Sequence, residues 1–429
     1  MDTAAELLGR ARGLDASDPL APFRGRFARP RGEDGGDLAY FCGHSLGLMC
    51  EGVRGVLDEE LATWAERGVE GHFRGPRPWF SYHERFSEPL ARLAGALPLE
   101  VVAMGSLTTN LHLLCASFYR PTARRYRVVI EHGAFPSDLY AMQSQAAFHG
   151  HDPARAVLTV RPRDGESVIR HEDVERLLDE HGGEIALVLW PGVQYVTGQA
   201  FDLGRLARAS HAAGAVFGAD LAHAIGNVPL RLHEDGVDFA VWCSYKYLNA
   251  GPGAIGGAFV HERHARRFDL PRFAGWWGHD PATRFAMDEA RLFVPQPGAA
   301  GWQLSNPPVL AAAPLLASLA VFDEAGQERR LAKTRAQFTL LTGVLDSAPG
   351  DRLEVLTPRR EGEHGCQVSV RLPGRAVAVA RALRREGFVV DVRPPDVIRI
   401  APTPLCNTYE EVARVGARLV ELAREGGAG

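Results

Sequence analysis

Phe239-Ala240-Val241-Trp242-Cys243-Ser244-Tyr245-Lys246-Tyr247-Leu248-Asn249 reads as an uncharged apolar strand that ends near Ser244 and delivers a lysine just beyond its end. A run of this kind suits a strand covered on both faces, as in a parallel sheet. The glycine-rich Gly251-Pro252-Gly253-Ala254-Ile255-Gly256-Gly257 follows. It lacks GxGxxG spacing and a terminal GK[ST], so it is expected to turn the backbone tightly beside the lysine and not to cradle a nucleotide. Lys246 and Lys333 are the two lysines of a 429-residue chain that carries 48 Lys and Arg side chains. Arginine supplies charge, but its guanidinium stays protonated, and of the two only lysine forms a Schiff base. Lys246 is therefore expected to act chemically, whereas Lys333→Arg is expected to be nearly silent.

Outward from this stretch, short β-branched runs alternate with helical patterns, the signature of a mostly parallel sheet covered by helices. Strands are expected at Arg127–Glu131, Ala156–Val160, Ile185–Trp190, Val216–Ala219, Phe239–Ser244 and Gly257–Val260. Helices are expected at Ala141–Phe148, His171–Glu180 and Leu203–Ala213. Such sheets bind ligands at the carboxyl ends of their strands. After Asn306-Pro307-Pro308 the pattern becomes one long Ala- and Leu-rich helix, broken by Ser347-Ala348-Pro349-Gly350. Beyond it, Cys366–Leu372, Phe388–Val392 and Val397–Ala401 read as strands, with helices at Val377–Arg385 and Tyr409–Arg424.

Composition narrows the class of protein. A 46% apolar chain of this length can bury a large core, and its formal charge of -4, without a long basic block, argues against a nucleic-acid partner. The longest apolar runs fall short of a membrane span, and acidic Asp2 and Glu6 sit where a secretion signal would be basic, so a cytoplasmic protein with no membrane partner is expected. The six cysteines lack paired spacing and read as reduced and structural. His72, His112 and His279 show no metal-ligand spacing, and no metal is expected.

Asp220 follows the apolar run Ala215–Ala219 and so stands at a strand end. A carboxylate there holds a pyridine nitrogen protonated, which with a lysine Schiff base is what pyridoxal phosphate requires, or it caps the next helix. His223 lies beside such a cofactor or is a core histidine. Gly105-Ser106-Leu107-Thr108-Thr109-Asn110 precedes a helical run, where backbone N–H groups and hydroxyls favour an anion or simply cap. Tyr245 offers a phenol to the same phosphate or is buried. Phe135, within Ala134-Phe135-Pro136-Ser137-Asp138, stacks on a pyridine face or packs in the core, and Asp138 adds a second carboxylate or caps the following helix.

Taken together these residues resemble the kynureninases. The likeness runs from about Phe41 to the C-terminal helix and rests on Gly43-His44-Ser45-Leu46-Gly47, Gly71-His72 with Arg77-Pro78-Trp79, Leu107-Thr108 with Asn110–Leu114, Phe135–Asp138, Asp220–His223, Trp242–Asn249, Gly275-Trp276 and Ser305–Pro308. The resemblance implies an α/β protein of the pyridoxal-phosphate-dependent fold type I, with a mostly parallel seven-stranded sheet in a large domain and a smaller α+β C-terminal domain. The implied division is residues 1–50 as an N-terminal segment on the small domain, 51–305 as the cofactor-binding domain, and 306–429 as linking helix and small domain. It implies that Lys246 carries pyridoxal 5'-phosphate, Asp220 pairs with the pyridinium, and Phe135 stacks on the ring. Leu107, Thr108 and Tyr245 would bind the phosphate, joined by Trp276 and Asn306 from a second subunit of a homodimer. Pro136, Ser137, Asp138 and His223 complete the implied cofactor set. Arg399 would clamp the substrate α-carboxylate, with Ser45, His72 and Asn306 facing its ring. The implied catalytic residues are Lys246, Tyr245 and Asp220, and the implied reaction is hydrolysis of the Cβ–Cγ bond of kynurenine or 3-hydroxykynurenine.

Two positions depart from the family pattern: His44, where asparagine is usual, and Pro191, commonly serine. They bear on which ring-substituted kynurenine is taken. The competing readings are a cysteine desulfurase or aminotransferase of the same fold, and a non-catalytic module that retains it. A desulfurase needs a mobile cysteine, and no cysteine sits in an evident polar loop.

Overall fold

In the computed structural model, which describes residues 4–287 and 292–425, β-branched runs form a seven-stranded sheet. Its strands in chain order are β1 Val101–Ala103, β2 Arg127–Glu131, β3 Val157–Val160, β4 Ile185–Pro191, β5 Val216–Asp220, β6 Phe239–Cys243 and β7 Gly256–Val260. Their spatial order is β1-β7-β6-β5-β4-β2-β3. From β3 to β6 neighbours are parallel, while β7 runs antiparallel to both β6 and β1. Side chains alternate across a strand, and in β4 Val188 and Trp190 join one apolar core while Leu187 and Leu189 join the other. Burial on both faces is why these strands read as unbroken apolar runs. The short β1, paired only at the sheet edge, is the strand that periodicity did not reveal.

The helices of ten residues or more are α1 Ala4–Ala16, α2 Val53–Arg67, α3 Leu107–Phe118, α4 Pro136–Phe148, α5 His171–His181, α6 Leu203–Ala212, α7 Val309–Ala325, α8 Gln327–Leu345, α9 Ala376–Arg385 and α10 Tyr409–Glu425. α4 begins five residues before its expected start because Pro136, with φ preset for a helix, occupies its first position. The single long helix expected after Pro308 is two helices bent by 81° at Gly326, whose φ of 75° belongs to the left-handed region. Among the described residues no single helix is long and apolar enough to cross a membrane.

A four-stranded antiparallel sheet follows, built from β8 Glu354–Val355, β9 Val368–Arg371, β10 Asp391–Arg393 and β11 Val397–Ile400 in the order β10-β11-β9-β8. The strand expected over Phe388–Val392 is divided: Phe388 and Val389 pair in parallel with Ala39 and Tyr40, and β10 begins at Asp391. Val368, Val370, Ile398 and Ile400 form a separate core with Leu341, Val412 and Leu419, closed by Leu7, Ala11 and Phe41 from the N-terminal segment.

Lys333 corrects the sequence expectation. Its ammonium donates to Asp18 Oδ2 at 2.6 Å, and both side chains are buried. An interior ion pair is not interchangeable with a surface charge.

Candidate active site

The carboxyl edge of the parallel strands gathers the chemistry. Pro191, the last residue of β4, is in register with Asp220, the last of β5, and Lys246 lies three residues beyond β6. Leu107, Thr108, Glu131, Phe135, Ser137, Asp138, Pro191, Asp220, His223, Tyr245 and Lys246 line one cavity of about 580 Å³, together with Val193, Tyr195 and Ala222. Lys246 Nζ stands 5.7 Å from the Phe135 ring centre and 5.9 Å from that of Tyr245. The lysine turn is held from outside: Gly47 N–H donates to Tyr245 O at 2.8 Å, and Asn249 Nδ2 donates to Leu48 O at 2.9 Å.

Electrostatics separates the carboxyl groups. Asp220 Oδ1 accepts the Ala222 N–H at 2.6 Å. Asp138, in the first turn of α4, is buried within hydrogen-bonding reach of Asp220, and burial with the Asp220 charge holds its carboxyl well above the usual range. Burial also raises Asp220, opposed by the Ala222 N–H, Asp138 and Lys246. Asp220 is thus the better anion of the two. Burial lowers His223 well below its ordinary value and keeps it neutral, with the Lys246 and His44 charges acting in the same direction. Burial raises the Tyr245 phenol, which therefore keeps its proton.

The N-termini of α3 and α4 both reach the cavity, the latter carrying Asp138 in its first turn, and neither has a side-chain cap. The first N–H groups of α3, and in α4 that of Ser137 after the N–H-less Pro136, remain available to an anion, and Thr108 Oγ1 lies 3.1 Å from Ser137 Oγ. An amine, a buried carboxylate, an aromatic wall and an anion cradle around one small cavity match the four parts of a phosphorylated pyridine aldehyde: carbonyl, ring nitrogen, ring face and phosphate.

Other expected residues lie apart from this cavity. Pro136 is exposed at the start of α4. Arg399 is buried on β11, its Nη1 donating to Tyr195 O at 2.6 Å and its Nη2 to Ser45 Oγ at 3.3 Å, which brings both residues to the Tyr195 wall. His72 packs 5.1 Å from Trp79 and 5.3 Å from Phe80. Trp276 donates to Arg284 O at 2.9 Å, and Asn306 is exposed. His44 is fully buried with Nε2 3.7 Å from Asp391 Oδ2.

Sequence reading missed Glu131, Tyr195 and Asp391. Glu131 was within reach, because an acid ending a buried strand is the signal that selected Asp220. Asp391 needed strand register, and Tyr195 carries no local signal. Away from this site, Glu100, His233 and His261 bring carboxylate and imidazole atoms within 4.8 Å of one another, a grouping hidden by sequence separations of 133 and 28 residues.

The fold is that of the fold type I pyridoxal-phosphate enzymes. The structure superposes on the cystine C–S lyase C-DES in complex with cysteine persulfide with a TM-score of 0.72 at 18% identity, covering 90% of this chain and 97% of that one. The cysteine desulfurase CsdA from Escherichia coli gives a TM-score of 0.74 at 18% identity, covering 95% and 98%. Residues 331–419 match the kynureninase C-terminal domain family. The chain is 51% identical over 415 residues to the kynureninase of Myxococcus xanthus (strain DK1622), 97% of either protein. It is 52% identical over 413 residues to that of Stenotrophomonas maltophilia (strain K279a), 95% of this chain and 97% of that one. The chain belongs to the kynureninase family.

Proposed function

We propose that this protein hydrolyses the Cβ–Cγ bond of L-kynurenine or its 3-hydroxy derivative, releasing an anthranilate and L-alanine. The observation that carries this reading is the placement of Lys246 Nζ beside Phe135 in a cavity floored by Asp220, in a chain with kynureninase relatives over nearly its whole length. Pyridoxal 5'-phosphate, when bound, supplies a carbonyl for amine exchange and a pyridinium electron sink.

Lys246 would hold the cofactor through its amine and would serve as the base that takes the substrate α-proton. Asp220, whose carboxylate accepts the Ala222 N–H against the upward pull of burial, would hold the proton on the ring nitrogen. Phe135 covers the ring face, while Leu107, Thr108, Ser137 and the two helix N-termini receive the phosphate. Tyr245, neutral and beside Lys246, would give its proton to Cβ as the hydrated γ-carbonyl collapses and the Cβ–Cγ bond breaks. Arg399 binds the α-carboxylate through a guanidinium oriented by Asp391. Ser45, His72 and Asn306 face the aromatic ring, the last reaching in, with Trp276, from the second subunit of a homodimer. The exposure of Trp276 and Asn306 in the single chain supports that arrangement.

A desulfurase reading is weaker. All six cysteines are free and buried, and burial pushes the Cys42, Cys366 and Cys406 thiols up to about 12, where no thiolate forms at neutral pH. Mixing the cofactor-loaded protein with kynurenine or 3-hydroxykynurenine is expected to give anthranilate-type fluorescence. No product from either would sink the proposal, and alanine release from cysteine would favour the alternative.

A further inference from the structure

Glu131 ends β2 at the same edge as Asp220 and lines the cavity, yet none of the roles above uses it. Its side chain is buried, and among the described residues Oε2 takes no hydrogen bond and Oε1 meets only Gln194 Nε2 at 3.5 Å, the outer limit of such a bond. Gln194 cannot turn to offer its oxygen, because that atom accepts from the N–H groups of Val196 and Thr197 and from the Thr197 hydroxyl. Three carboxyl groups, Glu131, Asp138 and Asp220, therefore share one buried cavity. The groups facing them are the Lys246 amine, the neutral His223, the Tyr245 phenol and the Gln194 amide. One ammonium offsets one carboxylate, and in a poorly solvated cavity the remaining acids keep their protons. Asp220 alone of the three accepts a backbone N–H in this cavity, so the anion belongs there.

We propose that Glu131 is a positioning residue of the cofactor site, held as the neutral acid so that a hydrogen-bond donor, and not a further anion, stands beside the Asp138–Asp220 pair. This rests on the cofactor reading only in giving Asp220 the ring nitrogen. The balance of charge agrees: burial, with the Asp220 charge in the same direction, pushes the Glu131 carboxyl up to about 8. Between its unfolded value of about 4.5 and about 8 the folded protein binds the extra proton, so Glu131 lowers stability progressively as pH rises through that window.

Glu131→Gln keeps a neutral donor and removes the titration, whereas Glu131→Leu removes both. The apoproteins are melted at pH 5 and pH 8, then titrated with pyridoxal 5'-phosphate while the visible band is followed. E131Q is expected to melt above wild type at pH 8, with the gap closing toward pH 5, and to bind the cofactor within about threefold of wild type, while E131L binds about tenfold more weakly for want of one hydrogen bond. Since Asp138 and Asp220 also titrate, the readout is the difference between variant and wild type. An E131Q that melts no higher than wild type at pH 8 overturns the neutral acid, and equal cofactor binding by E131Q and E131L overturns the donor role. Failure of wild type to take up the cofactor would instead sink the cofactor reading, and the melting comparison would still decide the protonation of Glu131.

Discussion

Arg399 and Asp391 face each other across antiparallel β11 and β10, with Arg399 Nε donating to Asp391 Oδ2 at 2.6 Å. Nη2 also pairs with Asp391, so the guanidinium is oriented before any substrate arrives. Removing the carboxylate strands a buried cation and frees its rotation. Asp391→Ala is expected to raise KM for kynurenine about tenfold or more with a smaller fall in kcat, and to cost about 3 kcal/mol of stability. Steady-state kinetics with urea unfolding measures both. A lower kcat at unchanged KM would remove Arg399 from carboxylate binding.

The two lysines should respond oppositely to arginine. Lys246→Arg keeps charge and fold but loses the only amine beside Phe135, so turnover and the visible cofactor band are expected to vanish at a nearly unchanged melting temperature. Lys333→Arg must fit a longer planar fork against Asp18 and beneath Tyr409, whose ring centre is 5.5 Å from Nζ, and should cost about 1–3 kcal/mol. Lys333→Met leaves Asp18 buried without its cation and should cost about 3–5 kcal/mol. Thermal melting of both variants is the check, and a silent Lys333→Met would mean that the pair is solvated.

His44 sets an acid limit on stability. Burial pushes its imidazole down to about 4, against the partial opposition of Asp391. The unfolded chain binds a proton near pH 6.5 that the folded chain refuses, so stability is lost as pH falls from about 6.5 to about 4, by roughly 3 kcal/mol. His83, also buried and pushed down to about 4, acts in the same direction. His44→Asn is expected to flatten the melting curve between pH 4 and 6.5 by its own share of roughly 3 kcal/mol, leaving the parts due to His83 and His223. An unchanged acid slope would show that His44 charges in place.

Gly47 lets the chain pass against the lysine turn. A methyl group there would lie far inside contact distance of Lys246 O and would press on the Asn249 backbone. Gly47→Ala is expected to lower kcat and cofactor affinity more than it lowers the melting temperature, because the displaced segment carries Lys246. Apoprotein titration beside a melt distinguishes this from general destabilisation.

What was legible in the sequence follows physical rules. The core strands were readable because burial on both faces excludes charge from Ile185–Trp190 and its neighbours. Lys246, Asp220, Phe135 and Asp138 were readable because they follow such runs, and the structure brings them to one cavity. The bend at Gly326 was hidden because alanine and leucine continue a helical pattern on both sides of it. Lys333 was misread because its partner, Asp18, is 315 residues away. Asp391 needed the register of β10 on β11, which composition does not encode.

The strap from Ala39 to Cys50 meets both ends of the reaction. Ser45 contacts Arg399, and two residues later Gly47 binds the backbone of the lysine turn. The gap between Arg399 and Lys246 is thus gauged by two residues of one ribbon, a ruler belonging to neither sheet. Since the same ribbon runs beside Phe388 and Val389, a shift of the smaller sheet would be carried mechanically to Lys246. Insertion of one residue between Ser45 and Gly47 is expected to change the spacing of Arg399 from Lys246, and with it the length of amino acid accepted.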